Sequence, residues 1–382
     1  MKKILVIHNQ YRETGGEDIA VKNEIELLKS HYNVETLIFN NNVENYFLQI
    51  LYFLINRNFK SEKKLKEKLQ NFNPNVVYVH NTWFKASVGI LKILEKRNIK
   101  TIIKLHNFRY FCTRHWLKTS HIKQKIYCEA CGFEKNRSFV FNQYFKESKI
   151  KSIFMIIYGK AYFNYLKSGK FKIVVLTKFH ETFLYNLGFS RETISVQRNY
   201  QPYNNNQERS TDSNTLLYAG RISKDKGVEE LILSFLKVKD SSLILKIAGD
   251  GPDYLNLKNK YVNPRIEFLG WLNNKKVIEL ILESRAVITA TKLYEGQPTI
   301  LSEASILGVP SIFPNFGGMS ELFEPDYPLK FEQFEYNDLV KKIELIQINE
   351  NLDNLGKQNQ EFVKRLLNSE KILNDFCELI NE

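Results

Sequence analysis

Glu295-Gly-Gln-Pro-Thr-Ile-Leu-Ser-Glu303 sets two carboxylates on either side of what reads as a helix start. Strand candidates lie before it at Ala286–Thr289 and after it at Ser311–Phe313, so the stretch is one repeat of alternating β and α. Gly296 fits the loop and Pro298 the first helical position, where the missing N–H would be unpaired anyway and the fixed φ suits the first turn. The amides of Thr299 and Ile300, with the helix dipole behind them, then make a seat for a phosphate. Glu303, roughly one turn deeper, can accept hydrogen bonds from a hydroxyl-bearing group such as a ribose. Glu295 at the helix mouth can hold the group beyond the phosphates, which suits a nucleotide-sugar. Two glutamates around a proline-led helix also fit a plain solvated first turn, so other segments must decide.

Working outward, short unbroken apolar runs recur at Ile4–Ile7, Val34–Phe39, Val76–Val79, Thr101–Leu105 and Ile173–Leu176, then at Leu216–Ala219, Leu243–Ala248 and Ile266–Leu269. Runs of this kind suit parallel strands buried on both faces. Helix-like segments separate them; Val21, Ile25 and Leu28 show the spacing of one buried helical face. The alternation predicts doubly wound α/β, here in two copies. The polar stretch Asn199–Asn214 has no apolar period and reads as the linker between them. Ligands of open α/β sheets sit beyond the carboxyl ends of the strands, so two facing sheets would share a cleft. A length of 382 residues also favours two domains of ~190 each.

With 43% hydrophobic and 25% charged residues, the chain has a globular composition. The net charge of +13 is uneven: Arg114–Lys172 holds thirteen Lys/Arg against three Asp/Glu. No signal-peptide pattern follows Met1. The longest uncharged greasy stretch, Asn45–Asn56, has twelve residues, below the ~17 needed to span a bilayer. Four cysteines do not make a secreted disulfide framework. A cytoplasmic protein is expected.

The first strand leads into Gly15-Gly16, a tight turn ahead of a helix. It is not Gly-x-Gly-x-x-Gly, so a Rossmann dehydrogenase loses its main support. In the second copy, Gly220-Arg221 and Lys226-Gly227 put two cations just past a strand end, where they can neutralise a diphosphate. Gly249-Asp250-Gly251-Pro252 and Gly317-Gly318 with Glu321 supply further turns at the same edge. His106 follows Thr101–Leu105 and can hydrogen-bond a sugar hydroxyl or phosphate oxygen; His8 and His80 also end strands.

Taken in order, these segments and Asn199 resemble glycosyltransferase family 4, a retaining group with the GT-B fold. The resemblance covers nearly the whole chain. It implies an N-terminal acceptor-binding domain over 1–199, a C-terminal nucleotide-sugar-binding domain over 200–367, and a last helix over 368–382 crossing back to the first domain. It assigns Arg221 and Lys226 to the donor diphosphate, Glu303 to the ribose, and Glu295 to the donor sugar. Gln297, Thr299 and Ile300 would assist at the phosphates, Gly16 would face the donor, and His106 would lie near the reacting sugar. It also implies a UDP-sugar as substrate, no separate cofactor, and a glycan or lipid-linked acceptor in capsule or lipopolysaccharide assembly.

Departure of a nucleoside diphosphate leaves negative charge behind, which cations and helix amides can stabilise. No Asp-x-Asp occurs in the chain, so departure without a metal is expected. A nucleotide-sugar epimerase and a non-catalytic basic module are the alternatives.

Within Lys146–Lys172 lysines alternate with aromatic and aliphatic residues. This suits a helix on the anionic inner membrane surface, with Tyr46–Ile55 as a second contact, or else a core helix with a solvated basic side. No nucleic-acid-binding pattern accompanies the charge. Cys112, His115, Cys128 and Cys131 have zinc-like spacing, and reduced thiols in an acceptor-side loop are the other reading.

Overall fold

The computed structural model of the protein describes residues 1–382 except 12–14, 43–44, 113–121, 123–124, 133–134, 136–147, 203–208, 211–212, 240–241, 349–350 and 382; side chains 46, 111, 112 and 348 are also outside the description. The chain forms two compact units, Met1–Tyr200 with Ser369–Glu382, and Gln201–Asn368.

The first unit runs β1 (Lys3–Gln10), α1 (Gly16–Lys29), β2 (Asn33–Asn40), α2 (Tyr46–Ile55), α3 (Phe59–Phe72), β3 (Val76–Val79), α4 (Gly89–Lys96), β4 (Lys100–Leu105), α5 (Arg109–Cys112), α6 (Lys149–Ser168), β5 (Lys172–Val175), α7 (Lys178–Asn186) and β6 (Ile194–Val196). Its sheet has the order β2-β1-β3-β4-β5-β6, with every pair parallel. β1 shows why an unbroken apolar run forms such a strand. Successive side chains alternate faces, so Ile4 and Val6 pack with Val21 and Ile25 of α1. Leu5 and Ile7 pack on the other side with residues of α3, α4 and α6.

The second unit runs β7 (Thr215–Ala219), α8 (Val228–Lys237), β8 (Ile244–Ala248), α9 (Tyr254–Lys260), β9 (Ile266–Gly270), α10 (Asn274–Leu282), β10 (Ala286–Ile288), α11 (Thr299–Ile306), β11 (Ser311–Pro314), β12 (Lys330–Phe331), α12 (Tyr336–Ile348) and α13 (Leu352–Leu366). Its parallel sheet has the order β12-β11-β10-β7-β8-β9. The final helix, α14 (Ser369–Asn381), belongs to the first unit, where Leu373, Phe376, Leu379 and Ile380 join the Ile4–Val6 face. Gln197 Nε2 donates to Ile372 O there at 2.9 Å.

Three features depart from or sharpen the expectations. Pro298 is the N-cap of α11 with extended ψ of 125°, so the helix begins at Thr299. Two edge strands, β6 and β12, were not expected; with three and two residues they are too short to carry a period. Of the two readings of the basic segment, α6 has the buried face that the core-helix reading requires: Met155, Tyr158, Tyr162 and Phe163 are buried in the first unit's core, with Lys149, Lys151 and Lys160 exposed. Among the described residues, no helix is long and apolar enough to cross a membrane.

Candidate functional site

In the second unit the strand order reverses between β7 and β10, the neighbours at the start of each half. Doubly wound sheets bind ligands at this switch, outside the carboxyl ends of the strands. Four loops meet at that edge and are tied by backbone hydrogen bonds. Gly220 N donates to Ala248 O (3.0 Å), Ile222 N to Asp250 O (2.8 Å), Lys292 N to Asp225 O (2.9 Å) and Gly318 N to Glu295 O (2.7 Å). Glycine is required at two close approaches. A Cβ at Gly249 would lie 1.9 Å from Gly220 O, and one at Gly227, whose φ is +67°, would lie 2.0 Å from Ala290 O.

This tying brings Lys226 onto Glu295: the ammonium donates to Glu295 Oε1, and Thr291 Oγ1 donates to the same oxygen at 3.2 Å. The cation expected at the diphosphate and the acid expected at the sugar are therefore paired with each other. Gly296 and the N-cap Pro298 follow directly, and the first-turn amides of Thr299 and Ile300 have no acceptor within their own helix. Gln297 Nε2 donates to Ser302 Oγ at 3.4 Å. Arg221 shares the loop with Lys226, and its side chain is exposed.

Glu303 sits on the buried side of α11, only 3% exposed. It does not touch Lys226 or Glu295; its Oε1 accepts from Asn274 Nδ2 of α10 at 2.8 Å. Burial pushes its carboxyl up to about 7, against the lowering effect of the Asn274 hydrogen bond. The sequence reading did not find Asn274 or Thr291. Thr291 lies four residues before Glu295, but Asn274 is a first-turn helix residue with no local signal of its role.

The first unit carries a polar cluster at its own carboxyl edge. His8, His80 and His106 stand at the ends of β1, β3 and β4, each followed by an asparagine. His80 Nδ1 and His106 Nε2 are 3.0 Å apart in one hydrogen bond, and His8 Nε2 is bonded to Asp18 Oδ1 at 2.8 Å. Burial first, then neighbouring positive groups, hold His80 and His106 well below the ordinary imidazole range. Both rings are thus neutral near pH 7, with one donor and one acceptor nitrogen each. His106 Nδ1 and His80 Nε2 are buried without a hydrogen-bond partner.

Gly16 is exposed and opens α1. Beside it Asp18 Oδ2 accepts from Gly15 N at 2.8 Å. Glu17 accepts from Tyr11 OH at 2.9 Å and from Asn107 Nδ2 at 3.4 Å. Burial raises the Glu17 carboxyl, with His8 and Tyr11 opposing. An acidic first turn suits hydroxyl groups better than a phosphate. Beneath the edge, Lys104 Nζ donates to both Glu24 oxygens at 2.9 Å, and Tyr78 OH donates to Glu24 Oε1 at 2.9 Å. The pair is almost wholly buried.

Of the zinc-like residues, His115 and the Cys112 side chain lie outside the described residues. Cys128 is disulfide-bonded, which corrects the reading of a reduced thiol there.

Residues 201–364 match the family model described as "Glycosyl transferases group 1". The chain is 24% identical over 336 residues to the amylovoran biosynthesis glycosyltransferase AmsD of Erwinia amylovora, covering 85% of each chain. Sucrose-phosphate synthase from Thermosynechococcus elongatus has a similar structure, with a TM-score of 0.72 at 15% identity, over 100% of this chain and 98% of that one. The Anabaena protein HepE in complex with UDP-glucose superposes with a TM-score of 0.70 at 15% identity, over 100% of both chains. The fold is GT-B, and the chain is a glycosyltransferase.

Proposed function

We propose that the chain is a retaining family 4 enzyme that moves a hexose from a UDP-sugar to a lipid-linked or cell-surface glycan during polysaccharide assembly, without a metal. One observation carries this reading: Lys226, Glu295 and Thr291 converge beside the first turn of α11, with a buried acid, Glu303, within the same helix. Lys226 and Arg221 take the diphosphate, with the amides of Gln297, Thr299 and Ile300 completing its seat. Glu303 takes the ribose hydroxyls. Once Lys226 turns to phosphate, Glu295 is released to hold hydroxyls of the donor sugar. Cations and amides fixed where the leaving diphosphate gains charge lower the barrier most, because they need no reorganisation as the bond breaks.

On the first unit, His106, neutral and hydrogen-bonded to His80, offers its second nitrogen to a sugar hydroxyl. UDP is preferred because HepE is seen with UDP-glucose, and a polysaccharide acceptor because AmsD acts in amylovoran biosynthesis. Cytoplasmic placement goes with this donor.

Thermal-shift screening with nucleoside diphosphates tests the reading, since a ligand that binds only the folded state raises its stability. UDP should raise Tm, and Lys226→Ala and Glu303→Ala should each lower transfer at least tenfold. Transfer within about threefold of the parent, ~0.65 kcal/mol on the barrier scale, would mean the donor site lies elsewhere. UDP release independent of any acceptor would instead favour an epimerase or hydrolase.

A further inference from the structure

We propose that α2 is an interfacial helix that docks the first unit on an anionic lipid bilayer. It deepens the reading of a lipid-linked acceptor and is tested separately from it. The helix has ten residues and no charge, in the sequence Tyr46-Phe-Leu-Gln-Ile-Leu-Tyr-Phe-Leu-Ile55. It is built locally at both ends: Asn45 Oδ1 accepts from Leu48 N, and Asn56 closes it in the left-handed conformation. Its inner side is fixed by Phe53, whose ring meets Phe84 at 5.3 Å and Tyr158 at 5.7 Å. The outer side carries Phe47, Ile50, Leu51, Leu54 and Ile55, all exposed, with Phe47 at 77% and Leu54 at 48%. Those positions repeat at three- and four-residue steps, so they form one apolar stripe. Phe53, partly buried, packs against the first unit's core and fixes which side of the helix faces out.

The patch extends beyond α2. Phe59, opening α3, is exposed, and so are Ile150 and Ile153 of α6, the helix that α2 packs against. Cations flank it on several sides. Lys85 Nζ donates to Asn42 O at 3.2 Å just ahead of α2, and Arg57 follows α2 with its guanidinium 4.9 Å from the Phe59 ring centroid. Lys60, Lys149 and Lys151 are exposed nearby in sequence. Neither α2 nor α6 contains an acidic residue, and Glu62 of α3 is buried against Arg57. An apolar stripe rimmed by cations of one sign matches acyl chains under acidic headgroups. At ten residues, ~15 Å long, α2 lies along the surface, since the hydrocarbon core is ~30 Å thick.

Flotation of the full-length protein with phosphatidylcholine vesicles, with and without about a quarter phosphatidylglycerol, tests the proposal. The parent should partition onto anionic vesicles at least ~10-fold better than onto neutral ones, and salt should weaken this by screening. The triple variant Phe47→Ser/Leu51→Ser/Leu54→Ser should lose ~10-fold or more of that partitioning, as expected for apolar area withdrawn from the interface. Its circular dichroism and UDP-induced shift in Tm should match the parent, which shows that fold and donor site are intact. Partitioning of the triple variant within about twofold of the parent would overturn the proposal. So would equal binding to neutral vesicles, or a dimer broken by the three substitutions in a protein that ignores vesicles. Failure of UDP to raise Tm would overturn the donor reading and leave the docking result standing.

Discussion

Glu303→Gln isolates the cost of keeping an acid in the core of the second unit. Its carboxyl rises from 4.5 to about 7 on folding, chiefly through burial. At about 1.36 kcal/mol per pH unit, the shift amounts to roughly 3 kcal/mol between the two protonation states. The sign follows from proton uptake: the folded state holds this proton up to about pH 7, while the unfolded chain releases it near 4.5. Stability from this group is therefore full below pH 4.5 and is lost as pH rises through 7. Glutamine keeps an oxygen for Asn274 Nδ2 and never ionises. Urea denaturation of parent and variant at several pH values should show the variant gaining on the parent by up to about 3 kcal/mol between pH 4.5 and 8. Calorimetry with UDP should show the reverse at pH 8, with the variant binding at least tenfold more weakly, because the neutral amide is a poorer acceptor for two ribose hydroxyls than a carboxylate. Parent affinity for UDP should itself improve as pH rises through 7. A stability difference flat across that range would refute the buried acid, and unchanged UDP affinity would refute its role at the ribose.

Glu295→Gln removes the carboxylate that competes with a diphosphate for Lys226; a partly buried pair at the surface, with side chains 29% and 22% exposed, is worth about 1 kcal/mol, so UDP should bind up to about fivefold tighter in calorimetry while transfer falls. Lys104→Met strands Glu24 in the core and should cost about 3–5 kcal/mol in urea denaturation, whereas Lys104→Met with Glu24→Leu should recover most of it. His80→Phe removes the partner of His106 Nε2, a hydrogen bond worth about 1 kcal/mol, and should lower kcat several-fold with UDP affinity unchanged; an equal fall in UDP affinity would count against a role confined to His106.

Much of the fold was legible because parallel strands buried on both faces must be apolar throughout, as Ile4–Ile7 and Leu216–Ala219 are. The short edge strands β6 and β12 were not, because two or three residues paired on one side need no such run. The α6 segment was open to two readings for a different reason. Its lysines and aromatics follow one another in sequence, but only the helical phase sorts Tyr158, Tyr162 and Phe163 inward from Lys151 and Lys160 outward. That sorting depends on what covers the helix. The apolar face left uncovered is on α2, which looked in sequence like the minor partner.

The site shows where local reading stops. In a parallel sheet every strand runs the same way, so each β-to-α loop emerges at the same edge. A residue just after a strand is thus known to lie there, and Arg221, Lys226, His8, His80 and His106 were placed in this way, with Glu295 placed by the proline-led helix start that follows it. Which of them touch depends on lateral strand order, and that is fixed by how the helices pack over the whole sheet. Lys226 follows β7 and Glu295 follows β10. They meet because β7 and β10 are neighbours at the switch point, with two intervening strands carried to the far side. Lys104 and Glu24, 80 residues apart, meet beneath the first unit's edge through the same kind of long-range placement. Chemistry per residue is therefore readable from the chain, while the pairing of an acid with a cation is a property of topology. The Lys226–Glu295 contact is the point where the two combine: in the proposed reading, a diphosphate that captured the lysine would free the acid for the sugar attached to it, so that binding the donor would prepare the second half of its own site.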